Sequence, residues 1–566
     1  MSRTSQGFSL IDVIVGIALM LVLFLALFGV LRASLMLSAL AKAKSAATEI
    51  ASTQMEYMRG ISYDSLGTVG GIPAGTIQQY ATSTVDGIPY TVHTFVEYTD
   101  DPADGLGVND TNGITTDYKI GEVTVSYSLG GIVKSVVLVS NFAPPGIETS
   151  TGGGTLSLHV VDASGINVGG ATVHVVNTAT SPTIDFTTFT NTAGLVSIDG
   201  AATSSAYQIY VSRTGYSSAQ TYARTSQNVN PTPGYLTVSQ NQTTSATFAI
   251  DLLTSLTLST FSPALTTAFS DTFANASNLS GEMNTQVTGG ALTLTSAALF
   301  GSAFSLPLTP SGLDGWGILS ADISTPPGTS VLVRVGDTQG NPLPEAVLPG
   351  NTAGFSTFPV SLTGIASSSY PGLTLLAALT SNSTTTTPLL LDWSLSHTEG
   401  PTVLPNVAFT LTGTKTIGTD ASSTPIYKTV VSDSTGGAGQ KTESLEWDAY
   451  SLALGMPLIE SCPVVPYQLA PGSATTSALI VGTPTTNTLP VVVEDTASHS
   501  IGNARVILTT SGYAATIPTS ACGLAYFNGL VPGMYAATVS ASGHTTTTIS
   551  GINVSGNTAP TTILLP

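Results

Sequence analysis

From Val13 to Leu31 the chain runs 19 residues without a charge. At ~1.5 Å of rise per residue, a helix of that length crosses a hydrocarbon core of ~30 Å. Such a run must be covered by lipid or by protein, and this limits the chain more than any other feature. The apolar pattern continues past the run. Met36, Leu40, Ala43, Ala47, Ile50, Gln54 and Met58 recur every three or four positions. That spacing predicts one continuous helix, apolar all round in its first half, amphipathic in its second, and ending near Gly60. Arg3 precedes the run while Arg32, Lys42 and Lys44 follow it, so the charge bias orients the helix only weakly. A single carboxylate, Asp12, stands at the start of the run, where a charge is costly without a partner.

The remaining chain has to be read through its composition. Of 566 residues, 14 are Lys or Arg and 33 are Asp or Glu, a net charge of −19. So few cations cannot neutralise many phosphates, which argues against nucleic acid as a partner. Charged residues make up 8% against 42% hydrophobic ones, so the solvated face has to be built from Ser, Thr, Asn and Gly. Two cysteines are too few for a disulfide framework or a four-ligand zinc site. These proportions suit an extracellular, β-rich chain of several domains.

The start of the chain resembles the type IV pilin and type II secretion pseudopilin family. Gly7, Phe8, Ser9, Leu10, Ile11 and Asp12 follow a six-residue polar leader and fill that family's processing motif, with Asp at the fifth position where Glu is usual. The resemblance implies cleavage between Gly7 and Phe8 by a prepilin peptidase, methylation of the new amine, and pairing of Asp12 with the amine of a neighbouring subunit. It also implies a precursor that crosses the bacterial cytoplasmic membrane once with its N-terminus inside, and later a place at the cell surface or in an extracellular filament. Two other readings compete. An ordinary signal peptide, with Ala39-Leu40-Ala41 as its small-residue site, needs an apolar stretch of only ~7–15 residues. A plain membrane anchor leaves Asp12 unexplained.

Alternation at Tyr90–Tyr98 and Glu122–Tyr127 predicts antiparallel strands over 61–148, the pilin-like head of the resemblance. Between them lies an acidic loop with Asp100, Asp101, Asp104, Asp110 and Asp117. Oxygen ligands on irregular backbone suit calcium, and major pseudopilins often carry a calcium site in a late loop. A solvated, turn-rich loop has the same composition, and the spacing is not that of an EF-hand.

Past a Pro/Gly-rich linker, short strands with turn signals predict β-sandwiches at 149–254, 255–400, 401–482 and 483–566. The first and last of these resemble carboxypeptidase-regulatory-like or Cna-B-type domains. The signature of such domains is a Thr-x-x-Gly turn and a strand, then Gly-x-Tyr and a closing strand; the stretches that resemble it are Asn191-Thr-Ala-Gly194 with Thr214-Gly-Tyr216 in one copy and Thr519-Ser-Ala-Cys-Gly523 with Gly533-Met-Tyr535 in the other. No Lys occurs from Ser135 to Thr414 or after Lys441, so neither copy can contain the Lys–Asn cross-link of some Cna-B domains. The segment 255–400 is similar to jelly-roll domains of the galactose-binding kind. There Trp316 and Trp393 are either core residues or platforms for a sugar. Cys462 and Cys522 can pair across adjacent domains in an extracytoplasmic setting, the alternative being two buried thiols.

No pair among the six histidines has metal-ligand spacing, and neither a Gly-x-Ser-x-Gly elbow nor a P-loop occurs. His159 and His174 could face each other on neighbouring strands, or be ordinary strand residues. The expectation is therefore a mainly β, non-enzymatic chain: a transmembrane helix at 8–60, a pilin-like head, and a tandem array of immunoglobulin- or transthyretin-like and jelly-roll-like sandwiches. Calcium is the one candidate cofactor. Other pilin subunits, the prepilin peptidase, the membrane and surface glycans are the candidate partners. A minor pilin-like adhesive protein fits best, with a secretion pseudopilin or a membrane-anchored carbohydrate-binding array as alternatives.

Overall fold

In a computed structural model of the chain, residues 10–105, 111, 113–145, 152–483 and 485–566 are described. The fold is mainly β, with a long N-terminal helix followed by a series of sheets that pair into sandwiches. The chain divides into two compact units, Met1–Leu253 with Thr416–Lys428, and Thr254–Lys415 with Thr429–Pro566.

The helix Leu10–Arg59 holds 50 residues, about 75 Å of rise. Large apolar side chains from Leu10 to Leu37 are exposed, whereas Ala43, Ala47, Ala51, Met55 and Met58 are buried. The packed stripe thus runs through Ala51 and Met55, and Met36 lies outside it. Three alanines on one face let the helix lie close to a sheet, and each buried Met adds roughly 1.5–3 kcal/mol. That sheet is a four-stranded antiparallel meander, Tyr80–Val85, Ile88–Thr99, Tyr118–Leu129 and Ile132–Phe142. Its first hairpin turns on Asp86-Gly87 and its last on Gly130-Gly131, all four at positive φ, as a two-residue type I′ turn requires. Gly121 leaves the space that Met58 and Phe142 fill. Lys119 is buried beneath the meander, where its Nζ donates to the carbonyls of Tyr63 (2.6 Å) and Leu66 (2.8 Å). Burial lowers its pKa to about 8.

The first sandwich packs two sheets around Leu156, Leu158, Val173, Tyr207 and Phe248. One sheet contains Thr172–Asn177, Ile184–Phe189 and Ser204–Ser212. The other places Gly154–Val161 between Leu195–Ala201 and Thr243–Ala249, the last of these in parallel. Ile72 of the head enters this core, and the Asp185 amide donates to Gly70 O at 2.8 Å, so head and sandwich share a packed boundary. A hairpin of Thr416–Thr419 and Pro425–Tyr427 completes the unit. It pairs with Asn230–Pro231, and Asn228 Nδ2 donates to Ile417 O at 3.0 Å.

In the second unit the boundary at 255 differs from the sequence-based expectation. Thr254–Phe261 is not part of the jelly-roll-like segment. It is an inner strand of the next sandwich, between Gln440–Leu445 and Ala474–Val481. The jelly-roll-like domain is therefore inserted into that sandwich after its first strand. The Ser262 amide donates to Thr402 O at 2.8 Å where the insertion leaves and returns. Its own sheets are six- and four-stranded, with Trp316 and Trp393 fully buried between them. The terminal sandwich pairs Leu489–Asp495 with Leu524–Phe527 and, in parallel, with Thr561–Leu565. Its strand Tyr513–Pro518 meets Gly315 and Gly317 of the inserted domain, where any larger residue would collide with Thr516 or Ala514.

The first and last sandwiches repeat each other atom for atom at the loops that set the fold. Asp162 Oδ1 accepts from the amides of Ser164 and Ile166, as Asp495 Oδ1 does from Ala497 and His499. Thr190 Oγ1 accepts from the Ala171 amide and donates to Val168 O, as Thr519 Oγ1 does with Ala504 and Ile501. Gly194 and Gly523 take positive φ where a Cβ would strike the opposite strand. Tyr207 and Tyr535 each donate to a backbone carbonyl at 2.8 Å. The counterpart of Tyr535 is thus Tyr207 rather than Tyr216.

On the outer faces, hydroxyls meet across neighbouring strands. Examples are Thr257–Thr442 (2.8 Å), Ser330–Thr380 (2.7 Å), Thr410–Ser432 (2.9 Å) and Thr538–Thr548 (3.0 Å).

Candidate functional sites: the apolar helix and the acidic head

The helix is the first candidate site. Its apolar half reaches a mean hydropathy of 3.1 over 18 residues, none of them buried by the rest of the chain, which is long and apolar enough to cross a membrane. Asp12 lies on the first described turn of this helix. Gly7 and Phe8 lie outside the described residues.

The second candidate is the acidic loop of the head. Asp100, Asp104 and Asp117 each bring a carboxylate oxygen within 4.8 Å of the other two, and Asp117 is only 2% exposed. Asp101 is not one of the three. Its amide donates to Asp117 Oδ2 at 2.5 Å and its own Oδ1 accepts from the Ala103 amide at 3.0 Å, so it shapes the loop. Asp110 lies outside the described residues. An all-carboxylate donor set on irregular backbone has the chemistry of a hard-cation site and fits calcium.

Beside this loop a cleft of about 660 Å³ opens between the head and the first sandwich. His93, Phe95, Glu97 and Glu122 line it from the head, and Thr155, Phe189 and Asp199 line it from the sandwich. Among the described residues, no Lys or Arg lines it. Glu97 is pushed up to about 7, chiefly by burial and then by the like charges of Glu122 and Asp199. Burial raises Asp199 as well, against hydrogen bonds from Thr155 and Ser197. Burial lowers His93, with Glu122 opposing. Sequence reasoning missed this cleft. The available signal was Phe95, an aromatic residue on the alternation phase of His93 and Glu97 that solvent should own.

Cys462 and Cys522 form a disulfide with a Cα–Cα distance of 5.7 Å, which joins the third sandwich to the terminal one. Both tryptophans offered as sugar platforms are core residues: Trp316 Nε1 donates to Tyr370 O at 2.9 Å, and Trp393 packs on Phe273. His159 and His174 do not face each other, because their strands belong to different sheets of the sandwich. His159 meets Asn167 and His174 meets Asp185 instead.

No protein-family model matches the chain, and no curated protein matches it. Among solved structures it is similar to the TIE protein of Bacillus anthracis, at 10% identity and a TM-score of 0.16 over 86% of this chain and 73% of that one. It is similar to BcpA, the major pilin subunit of Bacillus cereus, at 10% identity and a TM-score of 0.13 over 73% of this chain and 99% of that one. The shaft pilin SpaA of Lactobacillus rhamnosus GG aligns at 14% identity and a TM-score of 0.12 over 29% of this chain and 89% of that one. At such scores the chains do not superpose as wholes.

Proposed function

We propose that this chain is a non-enzymatic, pilin-like surface protein that inserts and assembles through its N-terminal helix and displays its β-domains outside the cell. The observation that carries the reading is the split helix. Residues from Ala43 onward are packed on the chain's own sheet, whereas among the described residues the large apolar side chains from Leu10 to Leu37 are exposed. Lipid covers them first and neighbouring helices afterwards. Asp12 then needs a cationic partner, which the methylated amine of a neighbour's Phe8 supplies once a prepilin peptidase has cut after Gly7. A payload of four sandwiches on one helix suits a minor or tip subunit better than the repeating wall of a tight filament. Surface glycans remain candidate targets, with the buried tryptophans excluded as platforms. Calcium at Asp100, Asp104 and Asp117 would brace the loop that joins the two middle strands of the head.

The test is the N-terminal residue and intact mass of the mature protein, made with and without a prepilin peptidase. A peptidase-dependent start at Phe8, one methyl heavier, is expected. A start at Lys42 or an intact Met1 would overturn assembly by this route. Under the proposed reading Asp12→Ala inserts in the membrane but is lost from filaments.

A further inference from the structure

In the four-stranded sheet of the inserted domain the strands lie in the order Leu279–Met283, Phe300–Ser305, Thr374–Ser381 and Thr329–Gly336. Leu375, Ala377 and Leu379 of the third strand face the core. Thr374 is on the opposite phase, with Leu376 and Ala378, and alternation gives that phase to solvent. Thr374 is nevertheless only 3% exposed, and its buried Oγ1 has no hydrogen-bond partner among the described residues. A hydroxyl withdrawn from water and left unpaired is destabilising, so its presence there needs another reason.

The surroundings supply one. Thr374 lines a cavity of about 350 Å³ at this end of the sheet, together with Phe304, Ser280, Thr338 and Gln339. Phe304 sits opposite Leu376 on one neighbouring strand and Gly281 on the other. Glycines leave its ring uncovered at both edges. A Cβ at Gly281 would stand 3.9 Å from Phe304 Cδ2, and one at Gly340 would stand 3.5 Å from Cδ1. Gly340 takes a φ of +83° in a turn that Asp337 Oδ1 fixes by accepting from the amides of Gln339 and Asn341, each at 2.9 Å. Thr338 Oγ1 accepts from Gln339 Nε2 at 2.9 Å, which leaves the threonine proton to donate. Ser280 Oγ donates to Ser305 O at 2.8 Å and keeps its capacity to accept. Among the described residues, no Asp, Glu, Lys or Arg lines the cavity.

An uncovered aromatic ring beside neutral hydroxyls and an amide suits a ligand with one apolar face and several hydroxyls of its own. A pyranose has both. The volume lies near the low end for ligand pockets and suits one sugar ring rather than a chain. We propose that this cavity is a subsite for a single neutral hexopyranose residue, stacked on Phe304 and hydrogen-bonded by Thr374. The inference rests on the reading of surface glycans as targets of the displayed domains. It moves the aromatic platform from the buried Trp316 and Trp393 to Phe304.

The test titrates the full-length chain, in a detergent without a sugar headgroup, with the methyl glycosides of galactose, glucose, mannose and N-acetylglucosamine, read by ligand-observed NMR. At least one is expected to bind, and Phe304→Ala should weaken it at least tenfold. Two milder variants separate binding from folding. Thr374→Val removes an unpaired hydroxyl, so the sugar-free domain should melt no lower than the parent while affinity falls at least fivefold. Gly281→Ala sets a methyl beside the ring without a clash, and should weaken binding at least threefold at an unchanged melting temperature. N-acetylneuraminic acid carries a carboxylate and should not bind. The proposal is overturned if none of the four glycosides binds, if any of the three variants binds as the parent does, or if N-acetylneuraminic acid binds best. A lower melting temperature for sugar-free Thr374→Val would also overturn it, because the hydroxyl would then be paired by water already. None of these readouts depends on how the N-terminus is processed. An unprocessed chain that binds sugar would sink assembly alone, and a processed chain that binds none would sink the subsite alone.

Discussion

The first and terminal sandwiches are two uses of one recipe, and their differences are more telling than their likeness. They share the Asp loop, the threonine that bridges two backbone segments, the positive-φ glycine and the capping tyrosine. They part at residues that face neighbours. Ala193 of the first copy corresponds to Cys522 of the terminal one, which is bonded to Cys462. Asp199, in the acidic cleft, corresponds to Asn528, whose Nδ2 donates to Ala264 O at 2.9 Å. The shared residues specify a fold, and the unshared ones specify what that fold is fastened to.

The largest break in this comparison should come from the disulfide. Removing a link that closes a 60-residue loop costs about 4 kcal/mol, so Cys522→Ala is expected to lower the denaturant midpoint of the terminal sandwich markedly. The matching Ala193→Cys in the first copy should do almost nothing. Next come Gly194→Ala and Gly523→Ala. Each forces a Cβ into a positive-φ position against the opposite strand, for a loss of about 3 kcal/mol apiece in urea unfolding. Equal losses would support a shared recipe, and unequal ones would break it.

Thr190→Val and Thr519→Val sharpen the same point. Each strands a buried amide and a carbonyl, and about 2 kcal/mol should vanish from either sandwich.

The smallest effect is pH-dependent and belongs to the first copy. Glu97 titrates near 7 in the folded head, well above its unfolded value, so the folded state holds the proton more tightly. The stability linked to it is fully present below ~4.5 and is lost as pH rises through about 7, on the order of 1–2 kcal/mol. Thermal melts from pH 5 to 8 should slope downward. The slope should flatten in Glu97→Gln and in part in Asp199→Asn, which writes the terminal copy's residue into the first.

These particulars also mark what the sequence could reveal. The helix was legible because 3.6-residue periodicity is local, and the repeat was legible because its turns are punctuated by Gly, Asp and Thr. The strand Thr254–Phe261 was not legible as part of the third sandwich. Its partners lie some 180 to 220 residues away, and alternation records which face is buried but not against which strand. Of the five loop aspartates named from the sequence, Asp100, Asp104 and Asp117 come together and Asp101 turns to the loop backbone instead, because a ligand set depends on how a loop folds back. Glu97 and Glu122 read as solvent-facing alternates until a second domain covered them.

The hydroxyl pairs on the outer faces carry a last consequence. Thr257 with Thr442, Ser330 with Thr380 and Thr538 with Thr548 join strands through dipoles rather than ions. Counter-ions have little to screen in such contacts, whereas surface ion pairs weaken as the Debye length shrinks. A chain exposed to dilute water at one hour and brine at the next would keep these cross-strand bonds throughout. The contacts that salt should weaken are instead the exposed ion pairs, such as Lys441 with Asp433.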